Sequence, residues 1–215
     1  MIENGKLRMV QRDLGSQTGN SGAFNNTWAV RLTNPAAVTQ IKGWIVVNAF
    51  ESSHCGASAA VGLVQARFDG RFFNSGPGAP NSEMNDVGAV VRLRRDSNSA
   101  DAANVLRVQG TVYQRTQADC SFGSVSLGDV DLGTALVGET VALKLEWDQP
   151  NKRFNFFRGS AVQRVTYAVS DAFGPWSLYR NVGTRTSVPT CLAGRTTGFM
   201  DAVFDNIAVN ASALP

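Results

Sequence analysis

Four polar side chains on two neighbouring segments are the best candidates for contacts with a ligand. They are Arg92, Arg94, Arg107 and Tyr113. Arginine forms two-pronged pairs with carboxylate or sulfate that lysine cannot form, and sixteen of the 20 basic residues are arginine. A patch of these residues on one sheet would suit an acidic sugar. The alternatives are an exposed strand face whose arginine stems cover apolar surface, and ordinary surface pairing.

Two pairs of carboxylates have a spacing that could support acid and nucleophile chemistry, because alternate residues of a strand share a face. These pairs are Asp129 with Asp131 and Glu146 with Asp148. The first pair lies between two glycines, which favours a solvated turn. The second pair flanks a turn, which favours a polar surface row. We therefore predict no catalytic residues.

The cysteines and the single histidine do not form a metal-binding pattern. Cys55, Cys120 and Cys191 all lie in turn-like sequence, and His54 is the one histidine. No two of them have the spacing of a zinc site. We favour a disulfide between Cys120 and Cys191 that leaves Cys55 free, and three reduced thiols are the alternative.

The composition is that of a folded protein, with 43% apolar and 17% charged residues. The net charge of +3 and the lack of basic runs interleaved with aromatic residues argue against nucleic-acid binding. No apolar run approaches the ~20 residues of a membrane span. No signal peptide follows Met1, so either the protein stays inside the cell or a leader has been removed. We favour a secreted or cell-surface protein, with a cytoplasmic location left open.

Alternation with a period of two predicts the elements that position these side chains. From residue 141 to 148, every second residue is apolar and the others are small or charged, which is typical of a strand with one buried face. Turn residues follow at 149–152, and two further strands complete a meander. The segments 86–95 and 105–115 alternate in the same way and should pair as a hairpin. No convincing helical period occurs, so we predict one all-β domain over residues 1–215, a two-sheet antiparallel β-sandwich.

Two segments carry a resemblance to a known superfamily. VALKLEWDQPNKRFNFFRG, at 141–159, and MDAVFDNIAV, at 200–209, resemble the back half of a concanavalin A-like lectin and glucanase jelly roll, including its laminin G-like branch. In that superfamily a strand ending in Trp-Asp turns into a strand of alternating aromatics, and the closing strand carries aromatic-Asp-Asn. The matching residues are Trp147-Asp148, Phe154, Phe156 and Phe204-Asp205-Asn206. A galactose-binding-type β-sandwich is the competing interpretation.

The resemblance implies a curved sandwich that binds glycan on its concave face or rim. Retaining glucanases of the superfamily carry Glu-x-Asp-x-Glu, which is absent here. The lyase branch needs His and Tyr, and His54 has no tyrosine nearby in sequence. A structural calcium would involve Asp205 of the closing strand with Glu3 or Asn4. Trp176, in a Gly-Pro-Trp turn, is the tryptophan best placed to stack on a sugar ring.

Three functions follow as hypotheses. The first, which we favour, is a non-catalytic module of a larger extracellular protein that binds a carbohydrate or a protein partner. An acidic glycan is one such carbohydrate. The second is a polysaccharide lyase or glycoside hydrolase with an atypical site. The third is a structural protein that assembles into particles. The phrase from Glu3 to Leu7 could follow an earlier turn, which would mean that the N-terminus is truncated.

Overall fold

The computed structural model describes residues 1–118 and 123–210, with the side chain of Glu3 left undescribed. Thirteen strands occupy most of the described residues. They are β1 (Ile2–Glu3), β2 (Lys6–Leu14), β3 (Ala23–Arg31), β4 (Gln40–Ser52), β5 (Leu63–Asn74), β6 (Asp86–Asp96), β7 (Val105–Arg115), β8 (Ser124–Leu136), β9 (Thr140–Asp148), β10 (Arg153–Arg158), β11 (Ala161–Thr166), β12 (Tyr179–Pro189) and β13 (Thr197–Val209). The helical structure in this part of the chain consists of two 3₁₀ turns, Pro35–Ala37 and Gln149–Asn151.

The strands form two antiparallel sheets that pack face to face. The seven-stranded sheet has the order β1-β2-β13-β4-β9-β10-β11, and the six-stranded sheet has the order β3-β12-β5-β6-β7-β8. Strands that are distant in sequence are neighbours in both sheets, as in a jelly roll. The predicted all-β, two-sheet antiparallel sandwich is therefore confirmed. No helix in residues 1–118 and 123–210 is long and apolar enough to cross a membrane.

The core lies between the sheets and is built from the apolar side of each alternating strand. Phe68 of β5, Phe154 and Phe156 of β10, and Phe204 of β13 are almost completely buried there. Burying one such side chain contributes about 1.5–3 kcal/mol. Because the period of a strand is two, each apolar row that faces the core leaves a second row facing away from it.

The predicted meander is present. Asp148 pairs with Arg153 across the first turn, and Arg158 pairs with Ala161 across the second. Lys152 adopts a left-handed conformation with φ of 47° at the first turn. The predicted hairpin of the segments 86–95 and 105–115 is also present, as β6 and β7.

Strand β8 corrects one prediction about the chain. The pair Asp129 and Asp131, which lies between two glycines, was expected to be part of a solvated turn. Instead β8 is 13 residues long and pairs with β7. The alternation in β8 is weak because most of its side chains are exposed. Backbone pairing with β7, which leaves no mark in the composition, decides its structure.

The predicted disulfide between Cys120 and Cys191 is wrong. Cys191 is joined to Cys55, with a Cα–Cα distance of 5.7 Å. The register of β4 with β13 explains this pairing, because Ser52 lies opposite Gly198 and brings the loops after β4 and before β13 together. Cys120 lies outside the described residues. All three cysteines have similar turn-like surroundings, so the sequence could not indicate which two would meet.

Candidate functional site

The outer face of the six-stranded sheet carries charged residues that are shielded from solvent. Along β5, Arg67, Asp69 and Arg71 alternate with core residues such as Phe68 and point away from the core. Their exposed fractions are only 8%, 2% and 8%. Charged residues are almost never this buried without partners, so this row forms the floor of a depression rather than an ordinary strand surface.

A cavity of about 370 Å³ lies over this floor. Its lining includes six arginines, which are Arg31, Arg67, Arg71, Arg92, Arg115 and Arg185. Asp69 is the one acidic residue of the lining within residues 1–118 and 123–210, and Tyr113 and Tyr179 supply aromatic walls. We call this cavity the arginine cleft. It collects its residues from all six strands of the sheet, β3, β12, β5, β6, β7 and β8.

Burial shifts the pKa values of charged residues in the arginine cleft. It lowers the pKa of Arg92 to about 9, with smaller contributions from Arg94 and Arg67, and Arg92 remains a cation at neutral pH. Burial also lowers the pKa of Arg185. It raises the pKa of Asp69 in spite of the nearby arginines. Desolvated cations gain most from an anionic partner, so the cleft is electrostatically suited to an anion.

Two tyrosines meet in the cleft. The hydroxyl oxygens of Tyr113 and Tyr179 are 3.2 Å apart, and either hydroxyl can be the donor between them. Asp69 of β5 lines the same cleft, on the strand next to Tyr179. Burial raises the pKa of Tyr179 well above its ordinary value, so its hydroxyl is neutral at physiological pH.

Glycine makes room for Tyr113. A Cβ atom added to Gly88 of β6 would collide with the ring and hydroxyl of Tyr113 on the neighbouring strand. Gly88 and Tyr113 are directly paired in the register of β6 with β7. The tyrosine ring can therefore lie flat across β6, because position 88 has no side chain.

An acidic cluster closes one end of the cleft. Arg71 donates to Glu83 at 2.9 Å and to Asp86 at 3.3 Å, and Arg115 lies 3.5 Å from Glu83. Asp86 is fully buried and also accepts hydrogen bonds from the backbone of Trp176 and Ser177. Burial disfavours the charge of Arg71, but the hydrogen bond to Glu83 and the nearby tyrosines raise its pKa overall.

A buried arginine supports the cleft from the core side. Arg180 of β12 is 1% exposed, and its guanidinium lies 3.8 Å over the ring of Phe72. Its Nε donates to the carbonyl of Val38 at 2.8 Å, and its Nη1 donates to the carbonyls of Tyr179 and Arg71. Arg180 thus ties β5 to β12 directly beneath two residues that line the cleft.

A second cavity, of about 420 Å³, adjoins the arginine cleft across β6, β7 and β8. Arg92 lines both cavities. The other lining residues of the second cavity are Arg94, Asp96, Gln109, Asp129, Val130 and Asp131. We call it the aspartate cavity, because it contains three acids and two arginines.

The residues predicted to bind ligand are distributed over this face. Arg92 and Tyr113 line the arginine cleft, and Arg94 lines the aspartate cavity. Arg107 lies outside the lining of both and forms a two-pronged pair with Asp101, at 2.6 Å for each bond. Trp176 is 59% exposed but does not line either cavity. Ligand contact by these residues stays a prediction.

The floor of the cleft was not predicted from the sequence. The signal was present in Arg67-Phe68-Asp69-Gly70-Arg71, where charged residues occupy every second position. Gly70 obscures the pattern, because glycine is typical of turns. In the structure β5 continues through Gly70 to Asn74. His54 is exposed in the loop between β4 and β5 and lies outside the cleft lining.

Asp205, the residue predicted to bind calcium, takes part in an ion pair with the ammonium group of Lys6, at 3.2 Å. No group of three or more histidines, cysteines or acids that could hold a metal occurs among the residues described. Calcium takes six to eight oxygen ligands, which include backbone carbonyls. A calcium site with Glu3 or Asn4 stays a prediction.

Several solved structures match the chain at low sequence identity. A polysaccharide lyase of family 18, aly-SJ02, matches with a TM-score of 0.51 at 12% identity, covering 97% of this chain and 88% of that one. LamAcat from Zobellia galactanivorans matches with a TM-score of 0.45 at 8% identity, covering 95% and 78%. An alginate lyase from Alteromonas sp. 272 matches with a TM-score of 0.42 at 10% identity, covering 97% and 88%.

The chain has a concanavalin A-like jelly-roll fold. The resemblance seen in the sequence is thereby confirmed at the level of the fold. No family model and no curated protein sequence matches the chain. At such low sequence identity the shared architecture does not transfer an activity, because one fold hosts many functions.

Proposed function

We propose that this protein binds an acidic polysaccharide in the arginine cleft. The observation that carries the proposal is the set of six arginines around one cleft in which, among the residues that the structure describes, Asp69 is the single acid of the lining. Guanidinium groups bind carboxylate and sulfate through paired, charge-assisted hydrogen bonds. The cleft lies on the outer face of a sheet in a concanavalin A-like fold, and a solved structure with that fold is named as a polysaccharide lyase.

The aromatic residues of the cleft favour a sugar over a small inorganic anion. Tyr113 and Tyr179 each combine a flat apolar ring with a hydroxyl that can hydrogen-bond a sugar. Thr111 and Asn181 add neutral polar groups to the same lining. A cleft that combines cations, aromatic rings and neutral polar groups suits a sugar ring that carries a carboxylate.

The disulfide favours a location outside the reducing cytosol. Cys55 and Cys191 are joined, and structural disulfides persist mainly in secreted and cell-surface proteins. Extracellular polysaccharides would be accessible to the protein there.

Calorimetric titration with a matched pair of ligands tests the proposal. A uronic-acid oligosaccharide should bind, and its carboxyl-reduced, neutral counterpart should not. Arg92→Gln, which keeps most of the stem but removes the charge, should weaken binding by roughly tenfold or more, since hydrogen bonds between charged groups contribute about 1.5–3 kcal/mol. Arg164→Gln is the matched control, because Arg164 is exposed on β11 of the other sheet. Equal binding of the two oligosaccharides would refute the proposal.

A second candidate function is cleavage of the same polymer by β-elimination, which the contact between Tyr113 and Tyr179 favours. In that reaction a base removes the proton from C5 of a uronic acid while arginine neutralises its carboxylate. The C4–O bond then breaks, a C4=C5 double bond forms, and the leaving oxygen takes up a proton. Ultraviolet absorbance of the unsaturated product, lost in Tyr113→Phe, would establish this activity. Binding without any such product would instead support the non-catalytic binding function.

A further inference from the structure

The two adjoining cavities differ sharply in charge. In the part of the chain that the structure describes, the arginine cleft has six arginines and one acid in its lining, whereas the aspartate cavity has two arginines and three acids. A polymer bound across this sheet face would meet both environments. The change occurs between strands β6 and β8, where Arg92 belongs to both linings.

The arginines of the aspartate cavity are already engaged. Arg94 donates through Nε to Asp96 at 2.7 Å. Arg92 donates through Nη2 to the hydroxyl of Thr111 at 3.0 Å, and Thr111 in turn donates to Asp129 at 2.6 Å. Arg94 is therefore paired with an acid of the same cavity, and Thr111 links Arg92 to Asp129, so that the acids outnumber the arginines on this side of Arg92.

The acids of the aspartate cavity are fixed in position. Asp129 also accepts a hydrogen bond from Ser126 at 2.6 Å, and burial, which opposes its charge, is outweighed by these bonds and nearby arginines, so that its pKa is lowered. Asp131 accepts a hydrogen bond from the backbone of Gly133 at 2.7 Å. Both acids lie on the same face of β8, opposite Thr111 and Gln109 of β7.

We propose that the face selects a polysaccharide in which a uronic acid is followed by a neutral sugar, with the acid over the arginine cleft and the neutral unit over the aspartate cavity. This specificity rests on the proposed binding of acidic polysaccharide. A uniformly charged polymer would bring a carboxylate against Asp129 and Asp131, and like charges held together across an interface disfavour the wrong partner. A neutral sugar would instead offer hydroxyl donors to these carboxylates.

Two oligosaccharides of equal length test this specificity by calorimetric titration. One alternates a uronic acid with an N-acetylated neutral hexosamine, and the other contains uronic acid alone. The wild-type protein should bind the alternating oligosaccharide more tightly, by roughly tenfold per avoided like-charge contact.

Variants identify the origin of the preference. Asp129→Asn and Asp131→Asn should each tighten binding of the uniform oligosaccharide and reduce the difference in affinity between the two oligosaccharides. Asp131→Asn preserves the hydrogen bond from Gly133, so it still tests the preference if Asp129→Asn impairs folding. Glu51→Gln is the control of equal charge change, because Glu51 lies on β4 of the other sheet beside Arg12.

The outcomes separate the two proposals. Binding of neither oligosaccharide overturns the proposed function itself. Binding of both with equal affinity, or a preference for the uniform one that the aspartate variants leave unchanged, overturns the specificity and leaves the proposed function standing.

Discussion

The hydroxyl of Tyr113 lies 3.2 Å from the hydroxyl of Tyr179, although 66 positions separate the two residues in the sequence. Tyr113 reaches this position from β7 across Gly88 of β6, and Tyr179 reaches it from β12 beside Asp69 of β5. The contact therefore spans four strands of the six-stranded sheet. Both tyrosines line the arginine cleft, and the geometry of their contact depends on the packing of each of these strands.

The contact leads to a prediction about alkaline stability. Burial raises the pKa of Tyr179 above the value that it has in the unfolded chain. Its contribution to stability is therefore complete below about pH 10 and declines as the pH rises above that unfolded-state value. We expect the unfolding free energy of the wild-type protein to fall more steeply above pH 10 than that of Tyr179→Phe, as measured by urea unfolding. Parallel curves for the two proteins would contradict this expectation.

Gly88→Ala should disturb the cleft without touching any charge. The new methyl group would collide with Tyr113, and overpacking of this kind typically costs about 1–3 kcal/mol. We expect a lower midpoint of chemical unfolding and weaker binding of acidic oligosaccharides. Gly174→Ala is the control, because a Cβ atom there meets no other atom within 4 Å. Equal losses of stability and of binding in both variants would argue against a specific role of Gly88.

Much of the architecture could be predicted from the sequence, because the signal is local. The alternation of β6, β7 and β9 places one row of side chains in the core and the other outside, and the structure follows it. Arg92 and Tyr113 were found in this way, since both lie on the polar side of strongly alternating segments. The cleft as a whole could not be predicted, because which strands become neighbours depends on the pairing of β12 with β5 and β3.

Two failures show what local patterns omit. Glycine is a residue type typical of turns, but β5 continues through Gly70 because Arg180 packs in the space that a side chain would fill. Cys55 and Cys191 are 136 positions apart and meet only because β4 pairs with β13. In both cases the deciding contact joins residues that are distant in sequence, and the local sequence around Gly70, Cys55 or Cys191 does not indicate it.

Asp69→Asn should stabilise the protein at neutral pH. Burial raises the pKa of Asp69 in the folded state, so the stability linked to this group is complete below the ordinary pKa of about 3.9 and is lost as the pH rises through the folded-state value. The advantage of the variant should therefore be largest near neutral pH and disappear in acid, as followed by thermal unfolding. It should also bind acidic oligosaccharides more tightly, because it removes the one acid of the cleft lining. If the stability advantage of the variant over the wild type were smaller at pH 7 than in acid, the result would contradict this account.

Reduction of the disulfide should destabilise the fold. The bond between Cys55 and Cys191 closes a loop of 136 residues, and loss of a native disulfide typically costs about 2–5 kcal/mol. We expect the melting temperature to fall when a reductant is added. The double variant Cys55→Ser, Cys191→Ser should melt at a lower temperature than the oxidised wild type and should not respond to reductant. An unchanged melting temperature of the wild type would show that the bond contributes little.

Mapping of backbone amide chemical shifts during titration with a uronic-acid oligosaccharide tests the central claim most directly. We predict that the shifts which change cluster on β5, β6, β7 and β12, around Arg67, Arg92, Tyr113 and Tyr179, and that they diminish as salt screens the arginines. Changes confined to the seven-stranded sheet, or no changes at any position, would contradict the assignment of the arginine cleft as the binding site.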